Sequence, residues 1–166
     1  MNALLISEKT LKENGLINNN VDNSFIYPAI QYAQDEGLQP IIGTCLYKTI
    51  CEMVALGEVE DPYKHLLDEY ITPYLINKVT ANIQLPLAYK LRNQGVVSIS
   101  GERTYNASMS DIKYLIDHYD NQAIFYANRL SAYLCENKNT FPEYKQCSCS
   151  DLGPNPTAYN TKIYLG

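Results

Sequence analysis

Apolar residues recur every three to four positions along several stretches of the chain, each bounded by residues that start or stop helices. The clearest stripe is Ile112, Leu115, Ile116, Tyr119, Ala123, Tyr126, Ala127, Leu130 and Leu134, which predicts an amphipathic helix capped by Ser110 and ending near Asn137. Phe25, Ile26, Ala29, Ile30 and Ala33 predict another, opened by Asp22 or Asn23 and stopped at Gly37, with Pro28 tolerated near its start. Pro40 opens a third, whose stripe is Ile42, Leu46, Tyr47, Ile50, Met53 and Val54 before Gly57. A short helix over residues 8–14, between Ser7 and Gly15, precedes them.

Asp61-Pro62 reads as an N-cap followed by a first-turn proline. From there a long helical region runs to about Asn93, with Gly95 as its stop. Thr72-Pro73 and Pro86 lie inside it, so a kinked or broken helix is expected rather than a straight rod. Its apolar residues, among them Ile71, Tyr74, Leu75, Val79, Ile83 and Leu87, fall nearly all round the helix. Such a helix is central to its own domain or shared with a neighbouring subunit.

The period changes after Gly95. The stretch from Gly95-Val96-Val97-Ser98-Ile99-Ser100-Gly101 to Tyr105 reads as a β-hairpin, over about 95–106, or an extended arm, turning near Gly101. Beyond Asn139, Pro142, Pro154 and Pro156 oppose any long helix. Tyr159, Thr161, Ile163 and Leu165 share one face of a terminal strand. A tail of this length without a helix suits an arm that adds a strand to another sheet edge. The expected fold class is mainly α: a helical bundle over 1–138 with an inserted β-hairpin, and an extended C-terminal arm over 139–166.

Composition narrows the function classes. The chain has 166 residues, 46% hydrophobic and 19% charged, enough to bury a core without metal or disulfide staples. No apolar run approaches the roughly 18 residues of a membrane span. Ala3 to Ile6 are apolar, but no basic start precedes them and Glu8 follows, which is not a secretory signal. The net charge is −5, and no basic cluster suits phosphate binding. Cysteines at 45, 51, 135, 147 and 149 are odd in number, which argues for reduced thiols in a cytosolic setting. The fifteen Tyr fit both AT-rich coding and interface use.

Candidate chemistry is sparse. Cys147-Ser148-Cys149 is half a zinc site, and neither His65 nor His118 has finger spacing to it. Asp117, His118, Tyr119 and Asp120 are consecutive on a helix and point in different directions, so they cannot converge on one proton. His65, Asp68 and Glu69 have the spacing of a surface ion pair. Gly95 and Gly101 open no phosphate-binding pattern, and Ser98, Ser100, Ser108 and Ser110 have no nearby histidine in sequence. Neither catalysis nor a cofactor is expected.

Three features carry a resemblance. Gln39-Pro40-Ile41-Ile42-Gly43-Thr44-Cys45-Leu46-Tyr47 opens a helix, Gly95–Tyr105 is inserted between two long helices, and Asn139-Thr140-Phe141-Pro142-Glu143-Tyr144 leads into the tail. In this order the chain resembles the head-to-tail connector, or neck ring (adaptor), proteins of tailed bacteriophages. It is most similar to those of crAss-like and other phages of Bacteroides-type bacteria. The resemblance implies a structural virion protein, made in the host bacterial cytoplasm. It implies a homomeric ring, usually twelve-fold, that joins the portal to the tail and touches adjacent neck or tail ring proteins. DNA would pass through its lumen without specific binding, and the acidic balance agrees with that. Candidate interface residues are Val96, Val97, Ile99 and Tyr105 in the hairpin, and Tyr159, Ile163, Tyr164 and Leu165 in the arm. The alternatives are another tail-completion or terminator protein, or a small cytosolic metal protein or enzyme using Cys147, Cys149 and a histidine.

Overall fold

The computed structural model describes residues 3–14, 17, 20–92, 95–98, 108–144 and 151–157. Within these the fold is mainly α. Helix α1 is Glu8–Asn14. Helix α2, Asn23–Tyr32, starts where Asp22 accepts a hydrogen bond from the Ser24 N–H at 2.8 Å. It does not stop at Gly37. The chain continues through a π-helical turn, Ala33–Leu38, into α3, Gln39–Ile42. Gly43 then breaks it at φ 80°, and α4 runs over Thr44–Leu56 to a left-handed Gly57.

The Asp61-Pro62 peptide is cis, and Pro62 precedes the next helix rather than opening it. That helix begins as α5, Tyr63–Leu66, passes through a second π-helical turn at Leu67–Ile71, and continues as α6, Thr72–Ala88. The two π turns share a cause. Each ends two residues before a proline, Pro40 in one case and Pro73 in the other. A proline has no N–H to offer the carbonyl four residues back, and its ring crowds that carbonyl. A wider turn draws the carbonyl away and keeps the backbone helical. Thr72-Pro73 therefore widens the helix instead of capping a new one.

Helix α6 ends at Ala88, earlier than the pattern predicted, two residues after Pro86. Tyr89–Arg92 (β1) pairs antiparallel with Gly95–Ser98 (β2), Tyr89 opposite Ser98 and Arg92 opposite Gly95. The hairpin expected over 95–106 is thus corrected. Residues 95–98 pair back onto 89–92 as a second strand, and Gly101 lies outside the described residues. Helix α7, Met109–Glu136, begins at Ser108 rather than Ser110. The Ser108 hydroxyl accepts from the Asp111 N–H at 3.2 Å, and Asp111 accepts from the Ser108 N–H at 3.0 Å, a reciprocal capping box.

Helix α6 is the centre of the bundle. Tyr74, Leu75, Val79, Ala81 and Ile83 are all buried within the chain's own fold, because α2 and α7 both pack on α6 while touching each other little. Lys78 of α6 pairs with Asp120 of α7 at 2.9 Å, and Tyr70 meets Tyr133, so the two helices run antiparallel. At one point α6 approaches the first π turn so closely that no side chain fits. A Cβ on Gly37 would lie 2.5 Å from the Tyr74 hydroxyl oxygen.

Two terminal segments close onto this bundle. Leu5 and Ile6 are buried, held by Gln34, whose side-chain oxygen accepts from the Leu5 N–H at 2.7 Å and whose nitrogen donates to the Ala3 carbonyl at 3.1 Å. The Gln34 nitrogen also donates to the Tyr47 hydroxyl at 3.2 Å, which in turn donates to Asp35 at 2.7 Å, so the buried amide is satisfied. At the other end, Phe141 is fully buried and Tyr144 nearly so. Phe141 and Tyr144, in the segment expected to open an arm, thus anchor residues 141–144 to the core, while residues 139, 140 and 142 are exposed. Residues 151–157 also return. The Thr44 N–H donates to the Leu152 carbonyl and the Asn155 N–H to the Pro40 carbonyl, both at 2.9 Å. Gly43 is needed there for two reasons: its positive φ, and Pro154 Cδ at 2.8 Å from where a Cβ would stand.

Candidate interaction surface

Most of the described apolar side chains are used in the core, so the exceptions are informative. On α7 the inward stripe is Ile112, Ala123, Ala127, Leu130 and Leu134. Directly opposite runs an outward stripe of Tyr114, His118, Asn121, Phe125, Asn128 and Ala132, all exposed and none formally charged. Tyr114 is 74% and Phe125 62% exposed. An ordinary solvated helix face is laced with charges, whereas this one has the alternating four- and three-residue spacing of a helix-packing seam. The sequence signal was available: once the inward stripe is assigned, two large aromatics remain on the wrong side.

A second exposed aromatic face lies on α2 and the π turn after it, where the Tyr27 hydroxyl donates to Glu8 of α1 at 3.4 Å. Tyr27 is 46% and Tyr32 54% exposed. Tyr32 lines a shallow depression with Pro28, Gln31, Asp35 and Glu36. A hydrogen bond to Glu36 holds the Tyr32 hydroxyl in its protonated form to higher pH than usual. Because α2 and α7 both rest on α6, their outward faces belong to different sides of the domain.

The titratable residues singled out in the sequence do not assemble. His118 is hydrogen-bonded to Gln122 at 2.9 Å and Asp120 is paired with Lys78, so Asp117–Asp120 form no common site. His65 makes no ion pair with Asp68 or Glu69 among the described contacts. The helix widens just after it, so the residue five positions on, Tyr70, becomes its neighbour, with ring centroids 5.8 Å apart. Tyr70 stacks on Tyr133 at 4.1 Å and lies under the Arg129 guanidinium at 4.8 Å. His65 meets Tyr133 edge-on. This cluster locks the start of the α5–α6 rod to the end of α7. Ser108 and Ser110 are hydroxyl partners at 2.6 Å within the α7 cap.

The cysteines divide. Cys45 is disulfide-bonded, which corrects the expectation of wholly reduced thiols. Cys51 is buried and free, Cys135 exposed and free. Burial pushes the Cys51 thiol up to about 11. Among the described residues no group of three or more His, Cys, Asp or Glu could hold a metal ion, and no helix is long and apolar enough to cross a membrane. Of the candidate interface residues, Val96 and Val97 lie in β2, opposite Leu91 and Lys90 respectively. Ile99, Tyr105, Tyr159, Ile163, Tyr164 and Leu165 lie outside the described residues, as do Cys147 and Cys149.

No curated protein sequence and no solved structure matches the chain. One family profile does, over residues 38–153. That span runs from the end of the first π turn, through the α5–α6 rod and α7, to the returning segment that bonds Thr44. On this match the chain belongs to DUF6712, a family of unknown function.

Proposed function

We propose that this chain is a structural ring subunit of a phage neck, joining the portal to the tail around the DNA exit channel. The observation that carries the reading is the uncharged outward stripe of α7, with Tyr114 and Phe125 open to solvent. Aromatic residues at low charge density are what a subunit contact is made of. The α2 face supplies a second surface on another side, and a closed ring built by one repeated contact needs two different faces per subunit. Helix α6 spends most of its apolar residues within the domain, with Leu85 exposed near its end. The proposed contacts with portal and neighbouring rings, and the twelve-fold count, rest on the family resemblance of the sequence.

The test is quantitative peptide counting of this chain against the capsid protein in gradient-purified particles from its source. A closed cyclic ring predicts about a dozen copies per particle. Hundreds of copies would place it in a capsid or tail tube, and absence would reject the reading.

A further inference from the structure

The outward stripe of α7 is symmetric about its own middle. Its positions fall into pairs centred on residue 123: Tyr114 with Ala132, His118 with Asn128, and Asn121 with Phe125. Each pair joins a larger side chain to a smaller one. His118 and Asn128 already have hydrogen-bond partners on their own helix, Gln122 at 2.9 Å and the Ile124 carbonyl at 3.0 Å, so covering them does not strip those bonds. Two exposed charges flank the stripe, Asp117 six positions before the centre and Arg129 six positions after it. They are opposite in sign.

We infer that this stripe is the seat for the same stripe of a second copy of the chain, the two α7 helices packing antiparallel about a two-fold axis level with residue 123. Side-chain size selects that arrangement. Antiparallel packing lays Tyr114 over Ala132 and Phe125 beside Asn121, so large and small side chains interdigitate. A parallel pair would set Tyr114 against Tyr114 and leave Ala132 facing Ala132. Charge selects the same arrangement. Antiparallel packing brings Asp117 of each copy level with Arg129 of the other, whereas parallel packing puts like charges at one height. The area fits a weak pair. Tyr114 and Phe125, 74% and 62% exposed, offer about 250 Å² per chain. With the shorter side chains of the stripe, the pair covers about 1,000 Å² in all, the low end for specific association.

The inference goes beyond the ring reading and does not need it. An isologous pair closes on itself. It therefore covers, in the free protein, the stripe that a ring neighbour would use, and pairing holds the chain back from assembly.

The experiment uses the full chain with Tyr114 replaced by the photo-crosslinker p-benzoylphenylalanine. It is mixed with the ¹⁵N-labelled natural chain at roughly millimolar concentration, where weak contacts are occupied. After irradiation and trypsin digestion, peptides are mapped by mass spectrometry. The expected crosslink joins position 114 to residues 130–138 of a labelled chain, the tryptic peptide between Arg129 and Lys138. Phe125→Glu in both chains lowers its yield roughly tenfold, because it buries unpaired charge in the seam. Adding Asn121→Lys to both chains restores it, since only antiparallel packing sets position 121 against position 125. Crosslinks to residues 114–129 or another segment, crosslinks confined to one chain, or none at all overturn the inference. So does a yield indifferent to Phe125→Glu or not rescued by Asn121→Lys. Far-ultraviolet circular dichroism of each variant separates loss of pairing from loss of fold. The outcome is also separable from the ring reading. A dozen copies per particle without the crosslink keeps the ring and rejects the pair. The crosslink without the chain in particles keeps the pair and rejects the neck.

Discussion

Gly37 sits inside a helical turn, where alanine should be the better residue. In an open helix, Gly→Ala stabilises by about 1 kcal/mol, because alanine loses less backbone freedom on folding. Here the added Cβ would stand 2.5 Å from the Tyr74 hydroxyl oxygen, with Lys78 Cγ and Tyr74 Cζ next at 3.5 Å. Only the oxygen is impossibly close. Tyr74 is 2% exposed in the centre of the bundle, so its ring has nowhere to retreat, and overpacking of this kind costs about 1–3 kcal/mol. The clash outweighs the propensity gain, and Gly37→Ala is expected to destabilise by about 1 kcal/mol. Tyr74→Phe removes the offending atom and leaves ordinary contacts. In that background the same Gly37→Ala change should stabilise by about 1 kcal/mol. The four proteins of this cycle, unfolded in urea and followed by circular dichroism, give a coupling of about 2 kcal/mol. Burial, reinforced by the negative charges of Asp120 and Glu36, pushes the Tyr74 hydroxyl well above its ordinary range. The group stays protonated in any neutral buffer, and the cycle should read the same from pH 6 to about 9. A stabilising Gly37→Ala in the natural background, or an equal effect in both, would refute the packing argument.

Other expectations follow from the same geometry. Phe141→Ala should cost about 3–5 kcal/mol in urea unfolding, since Phe141 is fully buried and meets the Tyr63 ring edge-on at 5.4 Å; a loss below about 1 kcal/mol would return residues 139–144 to a detached arm. Ser108→Ala should cost about 1 kcal/mol through loss of the α7 cap, seen as a lowered urea midpoint with unchanged slope. Asp111, held below the ordinary carboxylate range by hydrogen bonds from Ser108, gives a stabilisation that is complete above that range and lost as pH falls through its depressed value. An acid titration of Asp111→Asn should therefore converge with the natural protein only at the acid end. Maleimide at pH 7 should label Cys135 promptly and Cys51 only on unfolding, because Cys51 is buried and its thiolate forms only near pH 11; equal rates would contradict the burial.

The parts of this fold that were legible in the sequence are those set by local rules. The α7 stripe is one, since nine apolar residues at helical spacing leave no other element. Gly57 is another: a glycine expected to stop the helix after an apolar run does so, in a left-handed conformation. Gly37 looked identical on paper and behaved differently, because its reason lies 37 residues away in the Tyr74 hydroxyl. The prolines misled in a related manner. Pro40 and Pro73 read as helix openings, yet a widened turn ahead of each keeps the rod continuous. The same widening moved His65 from Glu69 to Tyr70, which no i, i+4 rule foresees. Pro142 and Pro154 argued against a long helix in the tail but said nothing of Phe141 entering the core. Tyr114 and Phe125 were readable in principle, as residues left over after the inward stripe is drawn. The depression on α2 was not, because Asp35 and Glu36 come beside Tyr32 only on the folded surface.

The two backbone hydrogen bonds that join Pro40 and Thr44 to Asn155 and Leu152 set an order of events during synthesis. More than a hundred residues separate the partners, so closing this contact early is entropically disfavoured. It is also physically impossible until residue 155 has left the ribosome. Until then the corner at Gly43 has no Pro154 against it, and the joint between α3 and α4 lacks its outer support. Helices α1 to α4 therefore emerge as an unfinished half whose final geometry waits on the last segment of the matched domain. For the ring subunit proposed above, such a late clasp ties competence to associate to the emergence of residue 155, so nascent copies on neighbouring ribosomes would be poor partners for one another until then.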